Sequence, residues 1–506
     1  MENIYLNEEH HIFRKSLRDF LDKEVVPHID EWEENGMLPK SIFRKFGEMG
    51  YFGISQEEKY GGMNLDFWYD VIFIEEVSKC NSGGFGASIS AHPYLSMSHL
   101  KYEGSDYLKD KYLPKAISGE WHGCLAITEP HAGSDVAGIK TTAILEGNHY
   151  IVNGSKCFIT NGVSADYMIV ACKTQPERGA SGISMIVVDG NTAGITRTNL
   201  KKLGWKASDT AEIAFDNVKV PTENLLGVEN QGFYYIMQRF ELERLTLAIG
   251  ALAAAEYAQE YTLQYMNERK AFGRSINKFQ VLRHKMAQLY AEITLVKNYT
   301  YQICQLYNQQ QYCVKEASIA KLLATELSDK VMYQCLQMFG GYGYMEEYKM
   351  ARLFRDSRLG TIGGGSSEIM LEIIAKMVID DVSYSQSTKV RVQQSIDNSE
   401  PWTVDKIFST LPFRFIAEKA KGKNLYFEFK FDVSTYFVLI NDGNLTINTV
   451  NSELTTVNCT VITDDTTYIA VETGKLNPQE AFMSGKIKVS DLGKMMEFTM
   501  LFKKLI

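Results

Sequence analysis

The stretch RLGTIGGGSSEIM, residues 358–370, places three consecutive glycines directly before an apolar run. Glycine lets a ligand approach the backbone closely, and the free N–H groups of a first helical turn then face an anion or a carbonyl oxygen. Ser366 or Ser367 is suited to cap this helix, because a serine hydroxyl accepts a hydrogen bond from a first-turn N–H. The stretch therefore predicts either a ligand-binding backbone or a flexible turn with a good helix cap.

The carboxylate best placed for acid–base chemistry is Glu243, in RFELERLTLAIG. At helical spacing it shares a face with apolar and small residues, namely Ile236, Phe240, Leu247, Gly250, Ala251 and Ala254. A carboxylate on an apolar face loses solvation, so its pKa should rise toward a value useful for a general base. The alternative is a structural ion pair, because Arg239 lies one helical turn earlier.

Two further segments contain residues suited to ligand binding. CLAITEPHAGSDVAG, residues 124–138, runs from a predicted strand into a loop, where Thr128 and Ser134 could hydrogen-bond a heterocycle. QMFGGYGYMEE, residues 337–347, has a glycine pair at the end of a predicted helix. Taken alone, the first is also compatible with an ordinary turn and the second with a helix C-cap.

Long helices must position these residues, because no proline occurs between Pro221 and Pro401. Apolar periodicity predicts helices near 279–310, 314–339 and 366–380, which favours an antiparallel bundle over 229–380. Residues 1–120 also read as helical, whereas 121–228 contain short β-rich runs that predict a β domain. Residues 381–402 are polar and predict a linker. Alternating strands and the Asp442-Gly443 turn signal predict a separate α+β domain over 403–506.

Composition excludes several classes of function. The 506 residues carry a net charge of −9 without a basic run, which argues against nucleic-acid binding. No stretch reaches the roughly 18 apolar residues of a membrane span. The eight cysteines form no CxxC pair, so no metal site is predicted. With no signal-peptide pattern at the N-terminus, we expect a cytoplasmic protein.

Six segments, in order, resemble the signature segments of the acyl-CoA dehydrogenases. They are AITEPHAGSDVAGIKTTA, NGSKCFITNG, LGWKASDTAEIAFDNVKVPTENLLG, ERKAFGRSINKFQ, QMFGGYGY and RDSRLGTIGGGSSEIM. The resemblance covers residues 1 to about 380. It implies an N-terminal helical domain, a middle β-barrel and a C-terminal four-helix bundle, with FAD as cofactor and a homotetramer or homodimer as the assembly.

The resemblance also implies a mechanism in which a glutamate removes the α-proton of an acyl thioester while the β-hydrogen leaves as hydride to flavin N5. Many members carry that glutamate at the position of Gly364. The isovaleryl and long-chain branches instead place it on a bundle helix, where Glu243 matches. The Gly364 backbone N–H would then hold the thioester carbonyl, an interaction worth roughly 3–4 kcal/mol per donor at comparable sites.

Further site residues follow from the same resemblance. The implied FAD contacts are Ile127, Thr128, Gly133, Phe158, Thr160, Arg269, Phe272, Gln280, Gln337, Gly341, Ser366, Ser367 and Glu368, of which Arg269, Phe272 and Gln280 would reach FAD from a neighbouring subunit. The implied substrate contacts are Ser134, Glu241, Arg244 and Gly365. Electron-transfer flavoprotein is the expected electron acceptor.

The segment over 403–506 resembles the sterol carrier protein family, whose lipid-binding domain is an α/β sandwich. This implies a lipid or acyl chain as its ligand. Our hypothesis is that the domain holds or delivers a lipid substrate to the flavin site, and the alternative is a structural role in packing or oligomerisation. Two other functions remain open from the sequence. One is dehydrogenation of an acyl group on a carrier protein, and the other is non-catalytic lipid binding by the whole chain.

Overall fold

The computed structural model describes residues 4–380, 402–432, 434–448, 457–473 and 475–502. Contacts divide the chain into two compact units, Met1–Ser383 and Tyr384–Ile506. Each unit has a hydrophobic core of its own, so each is described by itself.

The first unit opens with a layer of helices. They are α1 Glu8–Glu24, α2 Ile29–Asn35, α3 Lys40–Glu48, α4 Phe67–Ser78, α5 Gly83–Ala91, α6 Ser98–Glu103 and α7 Asp106–Ile117. The Asn7 side chain caps α1 by accepting from the His10 N–H at 2.9 Å. Leu17 and Leu21 are fully buried, as the periodicity of this segment predicts.

A β domain follows in the same unit. Its strands are β1 Gly123–Ala126, β2 Thr142–Glu146, β3 His149–Thr160, β4 Tyr167–Lys173, β5 Ile183–Asp189, β6 Ile195–Asn199, β7 Thr210–Pro221 and β8 Leu225–Leu226. They pair in the order β6-β7-β3-β2-β4-β5-β8, and β1 pairs with β4 in parallel. Side chains alternate along β4: Ile169 packs with the helices, whereas Met168 and Val170 pack in the core of the sheet.

The rest of the first unit is the predicted helical bundle. Its helices are α8 Gly232–Glu268, α9 Gln280–Asn308, α10 Val314–Phe339, α11 Lys349–Ser357 and α12 Ser367–Val378. A short hairpin of β9 Lys270–Ala271 and β10 Arg274–Ser275 lies between α8 and α9. Helices α8 and α10 pack along each other and α12 packs on α10, which brings the ends of distant segments together.

Asp356 ties the three parts of the first unit to one another. Its carboxylate, at the end of α11, accepts from the Gly83 N–H of α5 at 2.8 Å. It also accepts from the Trp205 N–H, in the loop between β6 and β7, at 2.6 Å. Burial raises the pKa of Asp356 to about 6, and the two backbone donors oppose that shift. The bundle is thereby fixed against both preceding layers.

The second unit has the mixed α+β composition that the sequence predicts. Its strands, β11 Asn424–Lys430, β12 Thr435–Asn441, β13 Asn444–Asn448, β14 Cys459–Thr463 and β15 Ile487–Val489, pair in the order β13-β12-β11-β14-β15. Its helices are α13 Val404–Arg414, α14 Asp465–Glu472, α15 Pro478–Met483 and α16 Leu492–Met500. The hairpin turn at Asp442 and Gly443 is confirmed, with φ of 43° and 81°. None of the helices in the described ranges of either unit combines the length and apolar character needed to cross a membrane.

Candidate active site

Glu243 lies in the first half of α8, and the neighbouring cations pair elsewhere. Arg239 Nε is 3.3 Å from Glu103 Oε1, and Arg244 donates to the Ser318 hydroxyl at 3.5 Å. The alternative ion pair between Arg239 and Glu243 therefore does not form. Across the described residues, no hydrogen-bond donor or ion-pair partner contacts the Glu243 carboxylate, although its side chain keeps partial contact with solvent.

The surroundings of Glu243 favour its protonated form. Burial among apolar groups raises the pKa of this carboxyl above the ordinary glutamate value. The charges of Arg244 and Lys321 lower that pKa, but they do not cancel the effect of burial. A carboxylate with a raised pKa and no partner holds an abstracted proton better than a solvated one does, which suits a general base.

The glycine segment, residues 363–365, lies directly against this part of α8. Gly364 and Gly365 have φ of +62° and +94°, a region that side-chain-bearing residues avoid. A Cβ on Gly364 would stand 2.2 Å from Leu247 Cδ1 and 3.5 Å from Glu243 Oε1. The backbone at Gly364 thus approaches Leu247 of α8 more closely than a residue with a Cβ would allow, and it lies beside the Glu243 carboxylate.

The helix after the glycine segment begins as the sequence predicts. Ser366 is the N-cap of α12, and its hydroxyl accepts from the Ile369 N–H at 3.4 Å. The hydroxyl oxygen of Ser367 is buried and has no hydrogen-bond partner in the described part of the chain. Glu368 is exposed on the first turn. The backbone of Gly364, which lies beside Glu243, therefore leads directly into the hydroxyl groups of Ser366 and Ser367 at the start of α12.

Lys321, on α10, belongs to the same site, although it is not among the residues predicted from the sequence. Its side chain is fully buried, and its Nζ donates to the Gly365 carbonyl at 2.6 Å. The available signal was its register: Lys321 stands in ASIAKLLATE at helical spacing with the buried Ala317, Ala320 and Ala324. A lysine in that register must find a polar partner inside the fold.

A cavity of about 140 Å³ extends beside α8 beyond Leu247. We call it the small-residue cavity, since α4, α5, α8 and α10 contribute to it mostly residues without bulky side chains. Its lining includes Ser78, Gly83, Gly86, Ala87, Ser90, Thr246, Leu247, Gly250, Ala251, Ala254, Thr325 and Ser328. The small face that the sequence predicts next to Glu243 therefore borders open space, which an unbranched apolar group could occupy.

In the β domain, the structure holds the two predicted cofactor segments side by side. The Cys157 N–H donates to the Thr128 carbonyl at 2.9 Å. The buried Lys156 donates to the Ile127 carbonyl at 2.9 Å and to Glu129 at 2.8 Å. Ile127 and Thr128 are thus fixed next to the end of β3, where Phe158 and Thr160 lie.

Phe158 has features of a binding residue that packing alone does not explain. Its φ is 60°, unusual for a bulky residue, and its ring is 69% exposed. A large apolar ring held in solvent by a strained backbone gains most when a flat ligand covers it.

The loop that follows Glu129 leaves its predicted binding residues open. His131 Nε2 lies 3.3 Å from Glu129 Oε2, and Gly133 and Ser134 are exposed. A Cβ on Gly133 would meet no atom within 4 Å. Ser134 is therefore accessible to a ligand in this structure.

An open groove of about 580 Å³ lies at the other end of the bundle, and we call it the Arg269 groove. Its lining includes Arg269, Gln337, Gly341, Tyr265, Gly340 and Tyr342. The Arg269 guanidinium lies 5.2 Å from the centre of the Tyr342 ring, and a Cβ on either glycine would meet open space. The structure thus brings together three residues that the sequence predicts separately, Arg269, Gln337 and Gly341.

Phe272 and Gln280, predicted for the same role, do not line this groove. Phe272 has a φ of 51° and is 95% exposed, and Gln280 is the first residue of α9. Two predicted substrate contacts also have structural partners. One carboxylate oxygen of Glu241 accepts from the Cys313 N–H at 2.8 Å, and Arg244 is buried beside Ser318.

Family descriptions match nearly the whole chain. The acyl-CoA dehydrogenase N-terminal, middle and C-terminal domains match residues 7–120, 124–218 and 230–379. The SCP-2 sterol transfer family matches residues 415–503, within the second unit. The matches follow one another in the order of the layers described above.

Individual proteins agree with these matches. The chain is 40% identical over 376 residues to the long-chain specific acyl-CoA dehydrogenase, mitochondrial, of Mus musculus, covering 74% of this chain and 87% of that protein. The crystal structure of acyl-CoA dehydrogenase from Geobacillus kaustophilus superposes with a TM-score of 0.72 at 43% identity, covering 74% of this chain and 99% of that one. A glutaryl-CoA dehydrogenase from Mycobacterium smegmatis, in complex with FADH2, gives a TM-score of 0.70 at 27% identity, covering 75% and 96%. The chain therefore belongs to the acyl-CoA dehydrogenase family.

Proposed function

We propose that this protein catalyses the FAD-dependent α,β-dehydrogenation of an acyl-CoA thioester to the trans-2-enoyl-CoA. The observation that carries the proposal is the Glu243 carboxylate, which has no hydrogen-bond or ion-pair partner among the described residues and lies beside the Gly364 backbone, with Oε1 3.5 Å from where a Cβ of Gly364 would stand. Glu243 is the general base, and the backbone N–H of Gly364 is a hydrogen-bond donor to the thioester carbonyl.

The two groups have complementary tasks. The α-carbon of a thioester is a weak acid, and its carbanion is stabilised when negative charge moves to the carbonyl oxygen. A fixed N–H donor lowers the free energy of that charge without reorganising, whereas water would have to reorient. Glu243 accepts the α-proton, and its raised pKa favours this transfer. Holding base and donor in one geometry removes much of the entropic cost of bringing them together.

The residues present fit FAD. The exposed ring of Phe158 offers a flat surface for an aromatic ring system. The Ser367 hydroxyl has no hydrogen-bond partner in the described part of the chain, and a ligand would supply one. Arg269 is suited to a pyrophosphate, because its guanidinium donates two parallel hydrogen bonds. When bound, FAD supplies the hydride acceptor for the β-hydrogen.

The remaining contacts extend this proposal. Ile127, Thr128, Gly133, Phe158 and Thr160 hold the flavin from the β domain, and Ser366, Ser367 and Glu368 from the start of α12. Gln337 and Gly341 form a further strip of FAD contacts, and Arg269, Phe272 and Gln280 reach the cofactor from a neighbouring subunit. Ser134, Glu241, Arg244 and Gly365 contact the acyl-CoA.

We further propose a homotetramer or homodimer. Supporting this, the exposed surface of the bundle carries large apolar side chains, among them Val281, Tyr290, Leu295 and Leu371. The 95% exposed ring of Phe272 would be covered in such an assembly. Electron-transfer flavoprotein is the proposed acceptor of the electrons.

Anaerobic bleaching tests the proposal directly. The purified protein should be yellow with oxidised flavin, and a series of acyl-CoA substrates of increasing chain length should bleach it. The product should be a 2-enoyl-CoA, identified by mass spectrometry as the substrate less two hydrogens. A flavin-free protein, or a yellow protein that no acyl-CoA bleaches, would contradict the proposed function and favour lipid binding without catalysis. Bleaching by an acyl carrier protein thioester, but by no acyl-CoA, would instead identify the carrier-protein thioester as the substrate.

The small-residue cavity indicates where the acyl chain lies. It begins beside Leu247, which contacts the site of Gly364, and continues along α8 past Gly250 to Ala254. The span from Glu243 to Ala254 is about 16 Å at 1.5 Å per residue. We therefore expect the substrates to be long acyl chains that extend well beyond the reacting carbons.

Gly250→Leu should shift the preference of the enzyme toward short chains. A Cβ at this position would already lie 3.1 Å from the Ser78 hydroxyl, so the larger side chain must fill the cavity. Each methylene excluded from an apolar site costs about 0.8 kcal/mol, roughly a fourfold effect. We expect kcat/KM to fall at least about tenfold for long chains and less than about threefold for short ones. Gln264→Leu, on the exposed face of α8, is the matched control; equal losses for all chain lengths would remove this cavity as the acyl site.

The second unit is proposed to hold a lipid or acyl chain for the dehydrogenase. Support comes from its match to the SCP-2 sterol transfer family. The first unit has its own core, and its solved relative from Geobacillus kaustophilus aligns with 74% of this chain over 99% of its own length, so a 1–380 variant is expected to fold. Truncation should lower kcat/KM for long chains by about tenfold and leave short chains within about twofold, the difference expected if several methylenes lose a binding site. An equal change in kcat/KM for every chain length on truncation would exclude delivery of the substrate by the second unit.

A further inference from the structure

Lys321 is a buried cation that the proposed chemistry does not use. Its side chain is fully buried on α10, and within the described ranges no carboxylate oxygen comes within ion-pair distance of its Nζ. Among the described residues, its side chain makes one hydrogen bond, which Nζ donates to the Gly365 carbonyl at 2.6 Å. A buried charge is costly unless it is paired or hydrogen-bonded, so the bond to the Gly365 carbonyl is the contact that stabilises this ammonium inside the fold.

Gly365, the hydrogen-bond partner of Lys321, belongs to the part of the site whose backbone has the greatest conformational freedom. Gly364 and Gly365 both have positive φ, and glycine restricts its own backbone less than any other residue. The segment has a fixed end at the Ser366 cap, but a cap does not define the orientation of the peptides before it. The bond from Lys321 does, because it joins this segment to a long helix that packs along α8.

We propose that Lys321 is a positioning residue: it holds the glycine segment against α8, so that the Gly364 N–H stays directed at the thioester carbonyl while Glu243 faces the α-carbon. This inference rests on the proposed function. It assigns to α10 the role of orienting the glycine segment, which is separate from proton abstraction by Glu243 and from carbonyl binding by the Gly364 N–H. Lys321 touches neither reacting group, and it acts through Gly365.

The charge of Lys321 has a second consequence for the base. Burial lowers the pKa of Lys321 to about 8, so it remains largely cationic at neutral pH. The charged groups that face Glu243 are Arg244 on its own helix and Lys321 on α10, and both lower its pKa. The charge of Glu243 in turn favours the charged form of Lys321, with smaller contributions from Glu326 and Glu368, whereas Arg244 opposes it. Removing the ammonium should raise the pKa of Glu243. The ascending limb of the pH–activity profile should therefore shift to higher pH.

The test compares Lys321→Met and Lys321→Arg with wild-type holoenzyme. Lys330→Met is the matched control, because Lys330 lies on the same helix and pairs with Glu292 at the surface, away from the site. Flavin content and Tm establish folding. Stopped-flow reduction by a long-chain acyl-CoA gives the limiting rate and its pH profile. A 3-ketoacyl-CoA gives an independent readout, since its acidic α-carbon ionises without oxidation and the ultraviolet absorbance of the enolate reports its pKa when bound.

We expect Lys321→Met to lower the limiting rate about 10- to 100-fold, the effect of misplacing one donor. The pKa of the bound 3-ketoacyl-CoA should rise by about one unit, which corresponds to a tenfold loss of enolate stabilisation. Lys321→Arg, which keeps the charge and a donor, should recover most of both effects, and Lys330→Met should change neither. Lys321→Gln replaces Lys321→Met in the same measurements if the latter does not fold.

Two failures are distinguishable. If the wild-type protein oxidises acyl-CoA substrates but the neutral Lys321 variants keep its rate, its pH profile and its enolate pKa, this inference is wrong and the proposed function stands. If the wild-type protein oxidises none, the proposed function is wrong, and an unshifted enolate pKa in Lys321→Met would then also remove the positioning role.

Discussion

Glu243→Gln should keep the flavin and lose the reaction. Glutamine has nearly the same shape but cannot accept the α-proton, so the rate of anaerobic flavin reduction by an acyl-CoA should fall by up to about 10⁴-fold, and by at least about 10²-fold. The visible spectrum of the bound flavin should change little, because Glu243 is not among the proposed flavin contacts. Stopped-flow absorbance under substrate saturation measures both quantities.

Glu256→Gln is the matched control for this substitution. Glu256 lies on the same helix, and its carboxylate forms a half-buried pair with Lys297 at 2.7 Å. Because this pair lies several turns along α8 from Glu243, its loss should leave the reduction rate within about threefold of wild type. A normal rate in Glu243→Gln would show that another group removes the α-proton.

The pH profile of the wild-type enzyme is a second test of Glu243 as the general base. Because burial raises the pKa of Glu243, the reduction rate should climb with pH and reach half its maximum above the ordinary glutamate range. The ascending limb should be absent from whatever activity Glu243→Gln retains. A rate already at its maximum near the ordinary glutamate value would mean that the base is a solvated carboxylate.

Gly364→Ala has the second largest expected effect. Its Cβ would stand 2.2 Å from Leu247 Cδ1, at a φ of +62°. The left-handed backbone costs an alanine about 1–2 kcal/mol, and relief of the clash must move either Leu247 or the glycine segment. Because a displacement of about 1 Å at a reacting centre can cost 10²-fold, we expect the limiting reduction rate to fall by about that factor.

Gly363→Ala separates this effect from a general stiffening of the segment. A Cβ there would meet Leu359 atoms at 3.6 and 3.8 Å, which is ordinary contact. Its reduction rate should remain within about twofold of wild type, as for substitutions away from strained or packed positions. Binding of the acyl-CoA product, followed by perturbation of the flavin spectrum, should weaken only in Gly364→Ala. Similar losses in both variants would argue against a specific role of the Gly364 N–H.

Local patterns were enough to predict the framework of the site. The helices predicted near 279–310 and 314–339 end within two residues of α9 and α10, because long proline-free segments with helical periodicity leave few alternatives. The same periodicity placed Glu243 on a face with Leu247 and Gly250. The structure then shows that face bordering a cavity.

Contacts between distant segments were not accessible in this way. Whether Arg239 pairs with Glu243 depends on Glu103, which belongs to another helix and is the partner it takes. Lys321 resembles any helical lysine until its packing is known, and only the fold reveals that it is buried against Gly365. The sequence also predicted Phe272, Gln280 and Arg269 as one set of FAD contacts. In the single chain, Phe272 and Gln280 do not line the Arg269 groove. Spacing along the chain defines a helix face, but not what the face meets.

The proposed base and the proposed carbonyl donor come from segments 121 positions apart, Glu243 on α8 and Gly364 before α12. The donor is a backbone group, so its chemistry survives any exchange of side chains that the geometry tolerates. The carboxylate can consequently move during evolution to another position around the substrate α-carbon, while the backbone donor to the thioester carbonyl oxygen stays unchanged. Enzymes of this design are open to exchange of the proton acceptor along short mutational paths, with carbonyl activation preserved at every intermediate.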